Sequence, residues 1–258
     1  MPDTRVIAAD GLGVAEVHAH TRASDGMVTA PELVRAAAAI GLSVVCVTDH
    51  DTIPPIAEAL DVGRELGVDV VAGEEVTTAF PPGIHVIGLF LDHPIRMHMS
   101  VEDTVGAIHD QGALAILPHP FMPTWFASIT PRRARALLER QPVDGIEARH
   151  TAPLIPGTWS VLDRFVAEHG ARVGARLGAG DSHFGRHDLG RALTVFPGRT
   201  AADFRNAILQ RTTSPLLGAV RPHGPGLGMR LGQQYRAVVW LSMERRAGRV
   251  GGGAGPSG

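Results

Sequence analysis

The chain has 258 residues, a formal net charge of −2 at pH 7 and an isoelectric point of about 6.7. This balance excludes the global basic field that drives non-specific nucleic-acid binding. No apolar run approaches the roughly 18 residues that a membrane-spanning helix needs, and the N-terminal residues lack the apolar core of a signal peptide. We therefore expect a cytoplasmic protein without membrane contact.

The basic residues are unusual because all 24 are arginines and the sequence contains no lysine. This excludes Schiff-base chemistry, a P-loop lysine and a carbamylated lysine that bridges metal ions. The single cysteine, Cys46, lies in the apolar run SVVCVT, which predicts a buried thiol and not a disulfide.

Short apolar runs alternate along the chain with alanine- and leucine-rich segments that end near glycine, a pattern that predicts strands and helices in turn. Seven strands are predicted, at residues 14–20, 43–50, 68–76, 84–90, 113–120, 144–150 and 176–182. Helices are predicted at 31–40 after a Thr29 cap, at 103–111 and at 159–169. Only the loop TTAFPPG joins the third and fourth strands, so that pair is antiparallel or part of a reduced unit. The remaining alternation predicts a parallel sheet covered by helices.

The composition changes after residue 218, where glycine, proline and arginine become frequent. We therefore divide the chain into a folded domain at 1–218 and a tail at 219–258, which has one short helix at 233–246 and a disordered end. The tail carries six arginines and one glutamate. This charge could attract an acidic partner, but a solvated terminal arm is the favoured interpretation.

Residues of the kinds that bind metal ions fall at the ends of the predicted strands. They are His18, His20, His50, Glu75, His85, His119, Asp181 and His183, and Asp25 follows the first strand in the turn SDG. Because the carboxyl ends of parallel strands meet at one rim of a barrel, these side chains are expected to converge. His85 precedes its apolar run, which an antiparallel fourth strand, or a strand that contains His85, would explain. Each residue alone has an ordinary structural explanation, but all nine explanations would have to hold at once.

The spacing H-x-H places the imidazoles of His18 and His20 on one face of a strand, where both reach a single ion. Imidazole and carboxylate ligands suit zinc, manganese or iron, and the lack of thiolates argues against a structural zinc site. Six histidines, two aspartates and one glutamate exceed the roughly four or five ligands that one ion takes. The set therefore predicts two or three divalent ions.

With these motifs the sequence resembles the PHP family, the polymerase and histidinol phosphatase domains. The matching stretches occur in family order: HAHTRASDG, VTDHDT, GEEVTT, IHVIGLF, LPHPF, DGIE and GDSHF. The resemblance covers residues 14 to about 218 and implies an α/β fold, a distorted seven-stranded (β/α)7 TIM-like barrel with a trinuclear metal site. Only 33 residues separate His85 from His119, where family members often carry a helical insertion, so a substrate cap is expected to be missing or small.

The resemblance also implies which residues bind which ion. The first ion takes His18, His20, Glu75 and Asp181; Glu75 bridges to a second ion held by His85 and His119; and the third takes Asp25, His50 and His183. Glu75 is selected over Glu74 because the family glutamate follows the glycine by two residues. Strand alternation agrees, since only one of the two neighbours can face inward.

This ligand set predicts hydrolysis of a phosphate ester. Clustered divalent ions lower the pKa of a bridging water and hold the attacking and leaving oxygens of a displacement at phosphorus. We expect a metal-bridging hydroxide to attack, while the ion held by Asp25, His50 and His183 contacts a non-bridging or leaving oxygen. Arginine suits phosphate oxygens, and Arg22 and Arg149 are the predicted substrate contacts.

Three further acids have supporting roles in this interpretation. Asp49 and Asp51 flank His50 and are expected to orient it. Glu147 ends the sixth predicted strand and is expected to be structural or to contact substrate.

The expected partner is a small-molecule phosphate ester or a nucleotide, cleaved as a mono- or diester, and nucleic acid is less favoured. One alternative is a C–N hydrolase of amidohydrolase type, which also uses H-x-H on a first barrel strand but commonly needs a bridging lysine that this chain lacks. A second is an exonuclease or nucleotide phosphatase acting on short nucleic acid. A third is a non-catalytic, metal-stabilised module that binds a partner through its tail. The native metal, the substrate and the oligomeric state stay open.

Overall fold

Strands and helices alternate through most of the chain. A computed structural model describes residues 6, 9–81, 83–122, 127–151 and 156–250. The strands are β1 Leu12–Glu16, β2 Val44–Val47, β3 Asp69–Thr77, β4 His85–Leu89, β5 Leu114–Leu117, β6 Gly145–His150, β7 Ala175–Ala179, β8 Ala192–Pro197 and β9 Ser214–Leu217. The helices are α1 Ala30–Ile40, α2 Ala57–Leu66, α3 Val101–Asp110, α4 Pro131–Arg140, α5 Thr158–Val173, α6 Ala201–Gln210, α7 Leu227–Tyr235 and α8 Leu241–Arg246. A 3-10 turn spans Gly185–His187, and a π-helical turn at Arg236–Trp240 joins α7 to α8.

Local sequence signals account for the helix ends. The α1 helix begins at the expected Thr29 cap, where the Glu32 carboxylate accepts a hydrogen bond from Thr29 N at 2.8 Å. It ends at Gly41, whose φ of 83° is a conformation that glycine adopts at little cost. The α5 helix continues past its predicted end, because Gly170 is tolerated inside it, and stops at Gly174.

The nine strands form one sheet in the order β7-β6-β5-β4-β3-β2-β1-β8-β9. Strands β1 to β3 are parallel, as are β5 to β7, whereas β4 is antiparallel to both of its neighbours. The antiparallel arrangement of the third and fourth strands is therefore confirmed. Because β4 runs in the opposite direction, its first residue, His85, lies at the same rim as the last residues of the parallel strands.

The two sides of the sheet meet and close a barrel. At the rim, the residues that follow β1 and β7 pair directly, since His20 N donates to Ser182 O at 2.8 Å and Ser182 N donates to His18 O at 3.0 Å. Farther from the rim, the Thr194 hydroxyl of β8 accepts from Gly178 N at 2.9 Å and donates to Gly178 O at 2.8 Å. The antiparallel pair of β8 and β9, which α6 connects, thus fills the gap that the β1–β7 pairing leaves open.

The predicted α/β barrel class is confirmed, but the predicted number of strands is wrong, because the sheet has nine and not seven. The two missed strands are β8, which pairs antiparallel with β1, and β9, which pairs antiparallel with β8. Their sequences ALTVFP and SPLL are short and contain proline, which weakens the strand signal. The seven predicted strands correspond to β1 to β7.

Apolar side chains fill the barrel at the end opposite the rim. Phe204 and Ile208 of α6 are fully buried in one cluster with Ile87 and Leu177 of the sheet. Cys46 lies in the same cluster and is a buried free thiol, as predicted. Helix α6 therefore closes the base, so the open rim is the face on which a site can form.

Residues 219–250, the described part of the predicted tail, do not form the solvated arm that their composition suggested. Helix α7, the π-helical turn and α8 make one continuous helical segment, residues 227–246, which we call the C-terminal helix. Arg236 donates to Ser24 O at 3.0 Å, and Arg245 bonds to the Asp51 carboxylate. These arginines have protein oxygens as partners, and the C-terminal helix is thereby fixed to loops at the rim.

Two other expectations concern the membrane and the chain end. Among the described residues, no helix combines the length and the apolar character of a membrane span. The predicted disordered end, residues 251–258, lies outside the described residues.

The substitution Gly178→Ala is expected to destabilise the barrel closure, because a Cβ there would lie 2.1 Å from the Leu193 carbonyl oxygen of β8. We expect the free energy of unfolding, measured by urea denaturation, to fall by about 1–3 kcal/mol. Gly106→Ala in α3 is the matched control, since its surroundings are open and alanine should stabilise a helix by about 0.5–1 kcal/mol. Unchanged stability of Gly178→Ala would contradict the close approach of β7 and β8.

Candidate metal centre

The nine residues predicted as metal ligands lie together at the rim of the barrel. Their ring nitrogens and carboxylate oxygens form four overlapping groups, in each of which the atoms lie within 4.8 Å of one another. The groups are His20, Asp25, His50 and His183; His18, His20 and Asp181; His18, Glu75 and His119; and His50, Glu75 and His85. Every predicted ligand belongs to at least one group, although the residues come from six different strands or the loops that follow them.

Four of these side chains surround one point. His18 Nε2 lies 2.9 Å from His20 Nε2 and 3.1 Å from Glu75 Oε2. His20 Nε2 lies 3.3 Å from both Glu75 Oε2 and Asp181 Oδ1. Ligand atoms about 2.0–2.2 Å from one ion are about 2.8–3.6 Å apart, from octahedral to tetrahedral geometry, so these separations fit one divalent ion.

The carboxylate of Glu75 is shared between two groups of histidines. Its Oε2 faces His18 at 3.1 Å and His50 Nδ1 at 3.2 Å. Its Oε1 lies 2.7 Å from His85 Nδ1 and 3.0 Å from His119 Nε2. One oxygen in each group is the arrangement of a bridging ligand.

Glu74, the neighbour of Glu75 on β3, points away from the centre. Its Oε2 accepts a hydrogen bond from Ile95 N at 2.7 Å. Burial raises the pKa of Glu74 to about 8, which makes its neutral form the major one at pH 7. Alternation along the strand therefore brings one glutamate of the pair to the other ligands and directs the second into the protein.

Asp25 reaches the cluster from the loop after β1. Its Oδ2 lies 3.2 Å from His183 Nε2, and its Oδ1 lies 3.6 Å from His20 Nδ1 and 3.8 Å from His50 Nε2. Oδ1 is buried and accepts no hydrogen bond from the part of the chain that the structure describes. Because a buried oxygen without a partner is costly, this atom fits a role as ligand to a cation.

The carboxylates and histidines of the cluster shift one another's pKa values. Burial raises the pKa of Asp25, but His183 and His50 outweigh burial and hold it well below its usual range. Burial likewise opposes ionisation of Glu75, yet the surrounding histidines lower its pKa overall. Burial lowers the pKa of His183, but Asp25 and Asp181 outweigh it and raise that pKa to about 10. The carboxylates therefore demand nearby positive charge, which a proton or a metal ion supplies.

Two buried carboxylates hold the first histidine in place. Glu147 Oε1 lies 2.9 Å from His18 Nδ1, and its Oε2 accepts from His119 N at 2.6 Å. Glu16 Oε1 accepts from His18 N at 3.3 Å and from Gly180 N at 2.7 Å. Such carboxylates fix the ring orientation of a ligating histidine. Glu147 thus has a structural position, one of the two roles expected for it.

Asp49 and Asp51 bond to partners other than His50, so the expectation that they orient this histidine is corrected. Asp49 accepts from the backbone N–H and the hydroxyl of both Thr21 and Ser24, at 2.5 to 3.1 Å. Asp51 accepts from the end of β3. Asp51 lies in a turn with a φ of 53°, and both aspartates shape the loops around the cluster.

The two arginines predicted to contact substrate are not brought together with the ligands. Arg149 forms a two-point pair with Asp163 at 2.9 and 3.0 Å and lies over the Trp159 ring. A register shift between Glu147 and Arg149 on β6 accounts for this outward direction. Arg22 is exposed, and its Nε donates to a backbone oxygen within its own loop.

A cavity of about 450 Å³ opens onto the ligand cluster. Besides ligands, its lining includes residues that sequence analysis did not select, namely Thr151, Phe184, Asp188, Arg191, Pro225, Arg230, Gln233, Gln234 and Ala237. Asp188 accepts from His183 N at 2.7 Å and so fixes the loop of that ligand. The missed residues lie outside ligand-like motifs, and several belong to the C-terminal helix. The polar residues of the C-terminal helix do not by themselves indicate that this helix covers the rim.

Comparison with known proteins identifies the family. A profile of the PHP domain matches residues 16–138. The chain is 36% identical over 120 residues to an uncharacterized protein of Methanocaldococcus jannaschii, covering 42% of this chain and 68% of that protein. It is 28% identical over 218 residues to a 3',5'-nucleoside bisphosphate phosphatase of Chromobacterium violaceum, covering 74% and 73% of the two chains. It is 42% identical over 82 residues to a 5'-3' exoribonuclease of Haemophilus influenzae; this match covers 31% of the chain and spans only 30% of that enzyme.

A solved structure shows the same fold. It is a two-domain protein of Bacteroides vulgatus, described as containing a predicted PHP-like metal-dependent phosphoesterase. The TM-score is 0.65 at 21% identity, over 83% of this chain and 68% of that chain. The chain therefore belongs to the PHP family, and the resemblance seen in its motifs is confirmed. Its class is that of a hydrolase, a metal-dependent phosphoesterase.

Glu75→Gln is expected to lower the number of manganese ions bound per chain by at least one, because an amide cannot bridge two cations as a carboxylate does. Metal content after loading and desalting, measured by mass spectrometry, checks this. Glu74→Gln is the matched control, since that carboxyl faces Ile95 and its raised pKa makes the neutral amide a close substitute. Equal metal content in the two variants would show that Glu75 is not a metal ligand.

Proposed function

We propose that the protein hydrolyses a small-molecule phosphate ester at a site that holds two or three divalent metal ions. The observation that carries this proposal is the Glu75 carboxylate, which offers one oxygen to His18 and His50 and the other to His85 and His119. A single ion would not require the two oxygens of one carboxylate to face different groups of histidines. Phosphate esters are the substrates for which clustered ions are best suited.

The proposed ligands are those that the family motifs imply. One ion takes His18, His20, Glu75 and Asp181; a second takes Glu75, His85 and His119; and a third takes Asp25, His50 and His183. The donor set supports zinc, manganese or iron, all of which accept imidazole and carboxylate ligands. When bound, such ions supply an activated water and neutralise charge on the phosphoryl oxygens.

The chain itself prepares these ligands. Burial lowers the pKa of His50 to about 4, so its ring is neutral and keeps a lone pair for an ion at neutral pH. Glu147 faces Nδ1 of His18, which favours a proton on that nitrogen and leaves Nε2 for an ion. The lowered pKa of Asp25 and of Glu75 keeps both carboxylates charged.

The cavity supports a small substrate. Its volume of about 450 Å³ is in the range of small-molecule pockets. The names of the relatives include a nucleotide phosphatase and an exoribonuclease, so both mono- and diesters are candidates. The chain's net charge of −2 favours a small ester over a long nucleic acid.

A phosphate-release screen with metal analysis tests the proposal. The purified protein, loaded with manganese, should hold at least two ions per chain and release phosphate, or an alcohol in the case of diesters, from some member of a panel of esters. The same panel includes amides and cyclic amides, because the alternative is a C–N hydrolase. Fewer than two ions and no hydrolysis of any ester would refute the proposal, and cleavage of amides alone would favour the alternative.

Asp25→Asn is expected to remove the third ion and to lower turnover by about two orders of magnitude or more, a loss typical of removing one group that stabilises a transition state. The fold should persist, because the substitution preserves the side-chain shape. Asp163→Asn is the control, since that carboxylate pairs with Arg149 outside the cluster. Full activity of Asp25→Asn would contradict the assignment of three ions.

A further inference from the structure

The C-terminal helix touches the loop that carries Asp25. Gln233 Nε2 donates to Asp25 Oδ2 at 2.9 Å. Arg236 donates to the carbonyl oxygens of Arg22 and Ser24 in the same loop. Both the side chain of this proposed ligand and the backbone that presents it are therefore held by residues more than 200 positions away in sequence.

Gln233 bonds to Asp25 Oδ2, which also lies 3.2 Å from His183 Nε2, whereas Oδ1 has no hydrogen bond from the described residues. With Oδ2 held by the amide, Oδ1 is directed between His20 and His50, at 3.6 and 3.8 Å. The last torsion of an aspartate side chain is broad, so the carboxylate turns easily unless one oxygen is fixed. A neutral amide fixes it without adding a charge that would compete with a cation.

The far end of the C-terminal helix is anchored as well. Arg245 bonds to the buried carboxylate of Asp51 and donates to Thr77 Oγ1 at 3.0 Å. Leu241, between the two anchors, is 2% exposed. A charge-assisted bond to a buried carboxylate is stronger than an exposed ion pair. The helix therefore has a defined position over the rim.

The side of the helix that faces the cavity is polar. Arg230, Gln233, Gln234 and Ala237 line the cavity, and their spacing of three, four and seven residues places them on one face. Apart from Leu241, several apolar residues on the remaining surface are exposed, among them Leu227, Leu231, Tyr235 and Val238. A helix that merely packs on a protein turns its apolar face inward. The reversed arrangement is the one expected of a helix that contacts a polar ligand.

We propose that the C-terminal helix is a wall of the substrate site, in which Gln233 positions Asp25 and Arg230, together with Arg191, binds anionic oxygens of a phosphate group. This inference rests on the proposed phosphoesterase function. Within the described chain, Arg191 and Arg230 are the arginines that line the cavity. Their planar guanidinium groups suit phosphate oxygens. The Arg230 Nε donates to Pro225 O at 3.1 Å, which restrains the side chain beside the cavity.

Arg230→Ala tests the phosphate contact in the full-length, manganese-loaded protein. We expect the dissociation constant for inorganic phosphate, measured by calorimetry, to rise at least about tenfold, because a hydrogen bond between charged groups is lost. With the best ester from the screen, KM should rise by more than kcat falls. Arg246→Ala is the matched control, since this arginine is exposed on the same helix and is not part of the cavity lining. It should stay within twofold of the parent protein.

Gln233→Leu tests the positioning role. We expect the weakest-bound manganese equivalent to lose affinity by about tenfold, in the range seen when a group that orients a metal ligand is removed. Gln210→Leu, at the exposed end of α6, is the control. Urea denaturation of each variant confirms that the domain is folded.

The outcomes separate this inference from the proposed function. If the parent protein hydrolyses an ester while Arg230→Ala and Gln233→Leu keep parental affinities for phosphate and manganese, the helix is not a wall of the site and the phosphoesterase proposal stands. If the parent binds manganese and phosphate but hydrolyses nothing, the phosphoesterase proposal fails and the two titrations still decide the role of the helix. A parent protein that binds neither overturns both.

Discussion

The Glu75 carboxylate is the contact on which the arrangement of the rim depends. Its two oxygens lie within 3.3 Å of ring nitrogens from five histidines, which reach it from both halves of the barrel. Only a closed sheet can bring so many strand ends to one side chain. The antiparallel β4 is part of this requirement, since its direction delivers His85 to the rim at the start of a strand instead of its end. The closure of the barrel is therefore what brings the proposed metal ligands together.

The rim contains strained backbone and buried carboxyl groups, both of which are unfavourable for folding. His119 and Asp181 have φ values of 29° and 48°, in a region that residues other than glycine seldom occupy and that costs of order 1–3 kcal/mol. The pairing of Ser182 with the segment after β1 holds the second of these residues in place. Behind the ligands, Glu16 is fully buried, and burial raises its pKa to about 8. A chain that served only to fold would not be expected to gather strain and buried carboxylates at one end.

The sequence was sufficient to predict the barrel class and the convergence of nine metal-type side chains at one rim, because both depend on local patterns that repeat at each strand end. It was insufficient where structure depends on distant pairing. Strands β8 and β9 carry proline; β8 pairs with β1, and β9 pairs with β8. The outward direction of Arg149 could not be predicted, because it depends on a register shift in β6. Such a shift moves a side chain to the other face of the sheet and leaves no mark in the periodicity of the sequence. Asp49 illustrates the same limit, since its partners Thr21 and Ser24 are fixed by the loop and not by proximity in sequence.

The C-terminal helix shows why composition misled at the end of the chain. A polar helical face predicts contact with solvent only if no other polar group faces it. Here Gln233 bonds to the carboxylate of Asp25, and Arg245 bonds to that of Asp51. Only 33 residues separate His85 from His119, which led us to expect little cover over the site. The tail instead supplies residues to the cavity from the opposite end of the chain. Because the cluster of carboxylates and histidines demands polar neighbours, a helix that lies over this rim turns its polar face toward the cavity, and several of its apolar residues stay exposed while Leu241 is buried.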